Sequence, residues 1–315
     1  KSPKLPGLPP FTGGFVGYFS YDYIKYTEPV LQENAPEARD FRDVDLMLFD
    51  QVIVFDHYRQ KLLIIAGVSV EDIERSYQKA KDTIQEIIAL LNSNAKAHFP
   101  HLHLKTALTP RFTQTEYGEM VEKAKQYIHE GDIFQVVLSN PMTAAAQGSL
   151  FDTYRVLRAS NPSPYMFYFS SDDLELAGAS PETLAKLTDK TVYTFPLAGT
   201  RKRGKTDEED LRLEQELLCD EKELAEHNML VDLGRNDVGR ICQLGSVKVE
   251  QYLTIQRFSH VMHIGSTVSG ILQEGKDAVD AINSILPAGT LSGAPKLRAC
   301  QIIQELEGRK RGIYG

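Results

Sequence analysis

Residues 44–68 read Val44-Asp45-Leu46-Met47-Leu48-Phe49-Asp50-Gln51-Val52-Ile53-Val54-Phe55-Asp56-His57-Tyr58-Arg59-Gln60-Lys61-Leu62-Leu63-Ile64-Ile65-Ala66-Gly67-Val68. Two apolar runs, 44–56 and 61–68, are joined by His57-Tyr58-Arg59-Gln60. Apolar β-prone runs joined by so short a polar link signal a hairpin, so an antiparallel sheet is expected. Upstream, residues 13–24 are aromatic and β-prone. Downstream, Ile73, Tyr77, Ala80, Ile84, Ile87 and Leu91 recur at helical spacing within 70–91, and 92–110 reads as a connection. Thr113 with Glu116 can form a capping box, Val121, Ala124 and Ile128 give the following helix an apolar stripe, and Gly131 can close it.

The remaining chain predicts a strand at 132–139, a short helix at 149–160, strands at 165–170 and 174–179, and a hairpin at 183–195. A long helix over roughly 207–233 follows, then strands at 246–253 and 258–272, and helices near 277–285 and 294–307. Strands outnumber helices and come in adjacent pairs, so the expected class is α+β with antiparallel sheets and not a doubly wound parallel sheet. No internal repeat or low-complexity tract interrupts it.

The 315 residues are 42% hydrophobic, enough to bury the core of one large domain or two ordinary ones. The net charge of -8 gives the whole molecule the wrong sign for a general attraction to nucleic acid or an anionic membrane. An anionic substrate would have to be held by local groups. Cys219, Cys242 and Cys300 are odd in number and lack metal-ligand spacing, which fits a reducing cytoplasm. No segment reaches the ~18 apolar residues of a membrane span. Lys1 to Pro10 has no signal-peptide core and reads as linker, and both ends read as cut from a longer chain.

Residues 199–206, Gly-Thr-Arg-Lys-Arg-Gly-Lys-Thr, fit the phosphate-loop pattern letter for letter. Apolar runs ending at Asp50 and Asp232 could pose as the second nucleotide motif, so a nucleotide hydrolase is a rival reading. The next helix, however, opens Asp207-Glu208-Glu209-Asp210, and four carboxylates there would repel a triphosphate. The context favours an exposed basic turn leading into an acid-capped helix.

Four other segments carry groups suited to chemistry. Glu223 and Glu226 are three apart and share a helix face that continues as Leu230 and Leu233, an arrangement of oxygen ligands that suits magnesium, though such pairs are commonly solvated. In His260-Val261-Met262-His263-Ile264-Gly265-Ser266-Thr267, alternation puts His263 on one face with Gly265 and Thr267, which leaves room beside the imidazole. The pattern suits a structural or a catalytic histidine equally. In Ala288-Gly289-Thr290-Leu291-Ser292-Gly293-Ala294-Pro295-Lys296, Pro295 suits a first helical position, and Thr290 and Ser292 could offer hydroxyls to an anion, or merely cap the helix. Glu182, in Ser180-Pro181-Glu182, sits where a carboxyl can be half buried with a raised pKa, as a general acid needs, or serve as a turn residue.

Together these segments resemble the chorismate-utilising enzyme family over nearly the whole chain, most strongly residues 113–315. The resemblance rests on Phe195-Pro196-Leu197-Ala198-Gly199-Thr200-Arg201, the Glu223–Arg240 segment, Val261-Met262-His263 and Gly289 to Lys296. It implies a sandwich of large antiparallel sheets with helices packed outside, with residues 1–110 as the end of an amino-terminal region and connection, and 111–315 as the chorismate-binding catalytic region, truncated at its C-terminus. It further implies that Glu226, with Glu223 nearby, holds Mg2+; that Glu182 protonates the departing ring hydroxyl; that Gly199, Thr200, Thr290 and Tyr314 contact the substrate's carboxylates; and that His263 orients or assists departure of the enolpyruvyl group. Asn161-Pro162-Ser163-Pro164-Tyr165-Met166 resembles part of a tryptophan feedback site, though composition alone reads it as a rigid proline turn.

Two positions choose among branches. Relatives that add water carry a lysine base where this chain has Gln135; relatives that form aminodeoxychorismate commonly carry a lysine at Ala198. Water is a poor nucleophile and needs a base, whereas ammonia already has its lone pair. The resemblance therefore implies the branch that combines chorismate with ammonia to release anthranilate and pyruvate in tryptophan biosynthesis, with the aminodeoxychorismate branch as the alternative. No cysteine sits in a nucleophilic elbow, so ammonia from glutamine would come from a glutamine amidotransferase partner. Family members continue past Gly315 with a further arginine, a glycine-rich carboxylate site, a lysine and another magnesium glutamate.

Overall fold

A computed structural model describes residues 5–31 and 41–314; the first four residues of the expected linker, and Gly315, lie outside it. The chain divides into two compact units, Lys1–Phe19 with Val44–Phe99, and Ser20–Asp43 with Pro100–Gly315. The division is discontinuous in sequence.

In the first unit, β1 (Gly14–Phe19) pairs antiparallel with β2 (Val44–Phe49), running from Gly14↔Phe49 to Phe19↔Val44. The run 44–56 is split at Asp50, and its second half, β3 (Gln51–Asp56), forms the expected hairpin with β4 (Lys61–Ala66). β3 alternates exposed and half-buried positions, the period of a strand with one covered face. Helix α1 (Ile73–Asn92) is capped by the Asp72 carboxylate, which accepts from the Arg75 amide.

The aromatic stretch 13–24 does not stay extended. After Phe19 the chain enters a 3-10 helix, Tyr21–Tyr26, that belongs to the second unit. Burial decides this: Tyr21 and Ile24 pack into a cluster with Leu31, Cys300 and Ile303.

The second unit begins with β5 (His103–Leu104) and β6 (Thr109–Pro110), then α2 (Gln114–His129), where the Thr113–Glu116 capping box forms. Its buried stripe is Met120 and Ala124, while Ile128 stays 42% exposed. The strand expected at 132–139 is reduced to β7 (Gln135–Val136); β8 (Met142–Thr143) and β9 (Ala146–Gln147) are equally short. β7 pairs with β17 (Gly293–Ala294), and Pro295 has no N–H to extend that ladder.

Helix α3 (Phe151–Ser160) leads to the paired β10 (Tyr165–Ser170) and β11 (Glu175–Ser180). A five-stranded antiparallel sheet follows, built from β12 (Lys186–Thr188), β13 (Thr191–Thr194), β14 (Leu197–Lys202), β15 (Lys248–Arg257) and β16 (Val261–Ile271), with order β12-β13-β16-β14 and β15 also on β16. Every pair of named strands is antiparallel.

The long helix expected at 207–233 is two helices, α4 (Asp207–Leu218) and α5 (Glu221–Gly239). Asp220 causes the break. One carboxylate oxygen accepts from the amides of Lys222 and Glu223, and the other accepts from Arg201 at 2.6 Å. Asp is a strong cap and a mediocre interior helix residue, so the chain restarts there. Helix α5 buries His227, Leu230, Val231, Gly234, Asp237 and Val238. A side chain at Gly234 would come within 3.1 Å of Thr194 and 3.4 Å of Pro196, so the glycine permits close approach to the sheet.

Helices α6 (Ala278–Ile285) and α7 (Lys296–Glu307) complete the unit. Pro295 is the residue before α7, not its first. No helix among the described residues is long and apolar enough to cross a membrane. We expect Asp220→Ala to lower stability through the loss of a helix cap together with a charged partner, read as a lower midpoint in urea denaturation; an unchanged midpoint would show that the break has another cause.

Candidate functional site

Most of the candidate groups gather along one face of α5. At its N-terminal end, Arg201 reaches Glu223 at 3.4 Å as well as Asp220. Glu223 also borders Gly199: a Cβ there would meet its Oε2 at 3.4 Å. Gly199 is the extra residue of a β-bulge, because Ala198 pairs with Ile264 and Thr200 with His263. Its φ of +81° is the left-handed region that glycine adopts without strain.

The bulge sets Thr200 beside His263, with Thr200 Oγ1 2.9 Å from His263 Nδ1 and Phe258 edge-on to the imidazole at 5.5 Å. Burial holds the His263 pKa below its usual value, partly offset by the Gly199 backbone, so the ring is neutral at pH 7 and available as a hydrogen-bonding base.

One turn along α5, Glu226 accepts a hydrogen bond from Gln135 Nε2 at 3.3 Å. The Gln135 carbonyl oxygen is buried without a partner. Leu230, about 6 Å further along the axis, and Leu233 reach a cavity of ≈ 30 Å³ that also holds Glu182, Asp237, Gly289 and Thr290. Thr290 Oγ1 donates to the two Glu182 carboxylate oxygens at 3.2 and 3.4 Å. Glu182 sits in the turn between β11 and β12, and burial pushes its pKa up to about 7, against the lowering effect of Thr290. A carboxyl that keeps its proton at neutral pH is suited to general acid work.

Other candidates stand apart or are already engaged. Ser292 is fully buried and its hydroxyl donates to the Ala288 carbonyl at 2.7 Å, so it offers nothing to an anion at the start of α7. Tyr314 is 60% exposed and lines a different cavity of ≈ 210 Å³, with Asp22, Phe41 and Arg311. Asn161 ends α3, and Pro162, Ser163 and Pro164 lead to Tyr165 and Met166 at the start of β10. Tyr165 Oη lies 2.5 Å from Thr183 Oγ1, which puts that segment beside the residue next to Glu182.

Residues 199–206 do not form a phosphate loop. Gly199 to Lys202 are strand, and the Gly204 and Lys205 amides donate to the carboxylates of Asp210 and Glu209, so helix α4 consumes the donors a phosphate would need. Two features have no counterpart in the sequence reading. His227, fully buried, meets Ser266 Oγ at 2.7 Å beneath the bulge strand. Lys296 pairs with Asp237 in the interior. The only signal for either was a polar residue on an apolar helix face or next to a helix start.

The family described as chorismate binding enzyme matches residues 1–315. Anthranilate synthase component 1 of Aquifex aeolicus is 47% identical over 311 residues, covering 98% of this chain and 63% of that protein. The protein of the same name from Acetivibrio thermocellus is 47% identical, covering 100% and 65%. The chain thus spans under two thirds of these relatives' length. The crystal structure of anthranilate synthase component I from Streptococcus pneumoniae superposes with a TM-score of 0.87 at 39% identity, covering 100% of this chain and 69% of that one. Isochorismate synthase MenF from Escherichia coli shares the fold, with a TM-score of 0.66 at 23% identity over 85% of this chain and 61% of its own.

The Glu182 environment has a consequence for stability. With a folded pKa near 7 and an unfolded one near 4.5, the native state binds the extra proton between those values, so stability falls as pH rises through that window. Glu182→Gln lacks this titration. Its stability relative to the unsubstituted protein should improve by about 1 kcal/mol between pH 5 and pH 8, after discounting for solvent around a half-buried group. A pH-independent difference in urea denaturation would show that Glu182 titrates normally.

Proposed function

Because the chain belongs to the chorismate binding enzymes, we propose that the complete protein is the chorismate-converting component of an anthranilate synthase, turning chorismate and ammonia into anthranilate, pyruvate and water. The observation that carries this choice is the Gln135–Glu226 contact. The position that would hold a lysine base in water-adding relatives holds an amide, which cannot take a proton from water, and its N–H is committed to a carboxylate. Ammonia needs no base. Ala198 is buried, with no lysine at that position to point to the aminodeoxychorismate branch.

In this reading Glu182 gives its proton to the departing ring hydroxyl, and Thr290 holds the acid in place. His263, neutral and fixed by Thr200, assists departure of the enolpyruvyl group. Gly199, Thr200 and Thr290 offer backbone and hydroxyl contacts to carboxylates; Tyr314 would act from its separate cavity, and residues 111–315 form the chorismate-binding region.

Glu226, with Glu223, would hold Mg2+, which when bound supplies positive charge to the ring carboxylate. The donor set fits a hard cation: two half-buried carboxylates one turn apart and a buried, unpartnered carbonyl oxygen on Gln135. No group of three His, Cys, Asp or Glu side chains that could hold a metal occurs among the described residues. One or two carboxylates with water and substrate is the usual magnesium pattern.

A glutamine amidotransferase partner supplies the ammonia, a reading supported by the relatives' name, component 1, and by this chain's thiols. Cys242 and Cys300 are buried with raised pKa values, the opposite of a nucleophilic cysteine. The three free thiols also support a cytoplasmic location. Tryptophan would inhibit through the segment Asn161 to Met166, whose contact with Thr183 gives it a path to Glu182.

The test is product analysis on the complete protein with chorismate, magnesium and either ammonium or water alone. Anthranilate should form with ammonium; equal conversion by water would sink the branch assignment. Glu226→Gln should lower magnesium-dependent turnover on the order of 100-fold, and unchanged turnover at limiting magnesium would remove Glu226 from the metal site. Gln135→Lys should lower anthranilate formation about tenfold and admit some water addition, since a neutral lysine offers the missing base.

A further inference from the structure

We propose that Asp237 and Lys296 form a positioning pair that holds the loop bearing Thr290 against α5 and so keeps Thr290 on Glu182, an inference that rests on the chorismate reading of that site. The two side chains are only 7% and 11% exposed. Lys296 Nζ donates to Asp237 Oδ2 and, at 2.7 Å, to the Ile285 carbonyl. Lys296 is the first residue of α7, directly after the loop 289–295, and Asp237 lines the small cavity that holds Glu182 and Thr290.

Taking two charges out of water is costly, and well-packed apolar residues of similar volume often serve stability as well or better. What a buried pair adds is directional: the ammonium is satisfied only when α7 starts at one place relative to α5. That start fixes where the preceding loop must run. The loop's close seat on α5 is visible at Gly289, where a Cβ would come within 2.2 Å of Leu233 Cδ2. Lys296 itself is not among the residues lining the Glu182 cavity, and its ammonium is directed to Asp237 and the Ile285 carbonyl, so it acts through the loop and not on substrate.

The test is a double-mutant cycle on chorismate kcat/KM in the complete protein. Lys296→Met removes the ammonium and keeps the stem; Thr290→Val removes the hydroxyl through which the pair is said to act. Lys296→Met should lower kcat/KM by about tenfold or more in the unsubstituted protein, yet by less than about threefold in the Thr290→Val background, because the contact it supports is already gone. A merely structural role predicts equal fold losses in both backgrounds. Asp237→Asn, which keeps shape and an acceptor oxygen, is run in the same cycle should Lys296→Met fail to fold.

Equal losses, or no loss, overturn the proposal. Loss of the far-UV helix signal in both variants would assign the pair to folding and overturn it too. If the unsubstituted protein forms no anthranilate, the proposed reaction fails and this inference with it; if it does and the variants behave additively, only the positioning pair fails.

Discussion

The close approach of α5 to the five-stranded sheet is the constraint on which the rest of the second unit depends. Gly234 permits it, and β16 receives it: Met262, Ile264 and Val268 are fully buried beneath the helices. A side chain at Gly234 would push against Thr194 and Pro196, and close-packed interiors do not absorb an extra methyl group without shifting. Because α5 runs the length of the site, such a shift would move Glu223, Glu226, Leu230, Leu233 and Asp237 together. Glu223, Glu226 and Asp237 therefore sit on one rigid element, and the groups from other segments keep their distances from them by packing against it.

A second polar knot holds the loop 289–295, which carries Thr290. Glu307 and Arg311 are 1–2% exposed as side chains and pair with each other. Glu307 also accepts from the Ser139 amide and hydroxyl, while Arg311 donates to the carbonyls of Leu291 and Val137 and lies 4.6 Å from the Tyr21 ring centroid. Each buried donor and acceptor finds a partner here, which makes such a network specify a unique packing. Leu291 is the neighbour of Thr290, so the loop is held between this knot and the start of α7.

The local chemistry follows from unlike surroundings of similar groups. Glu182 lies among Leu184, Pro196, Leu230 and Leu233 and retains its proton near neutrality, whereas Asp210, braced by Arg203 and the Gly204 amide, is held down to about 2. Two carboxyls in one domain thus differ by several pH units for opposite reasons, desolvation in one case and charged hydrogen bonds in the other. The first suits a proton donor; the second fixes a turn and denies it to phosphate.

By itself the sequence determined what depends on neighbours along the chain. The hairpin at 51–66, the α1 periodicity and the Thr113–Glu116 box are local patterns, and they are realised. The residue types of the site, an acid in a turn, paired carboxylates and an imidazole on a strand with small neighbours, were equally legible. Only the tertiary structure decided that Asp220 would end one helix and cap the next, that Tyr21 would leave the strand for a buried 3-10 turn, and that Ser292 would be consumed by a carbonyl. It alone decided that Asp237 would find Lys296 across 59 positions. Caps, turns and periodicity are settled within a few residues, whereas burial and long-range pairing depend on which faces the packed elements present to one another. A carboxyl's proton affinity and a lysine's partner belong to that second kind.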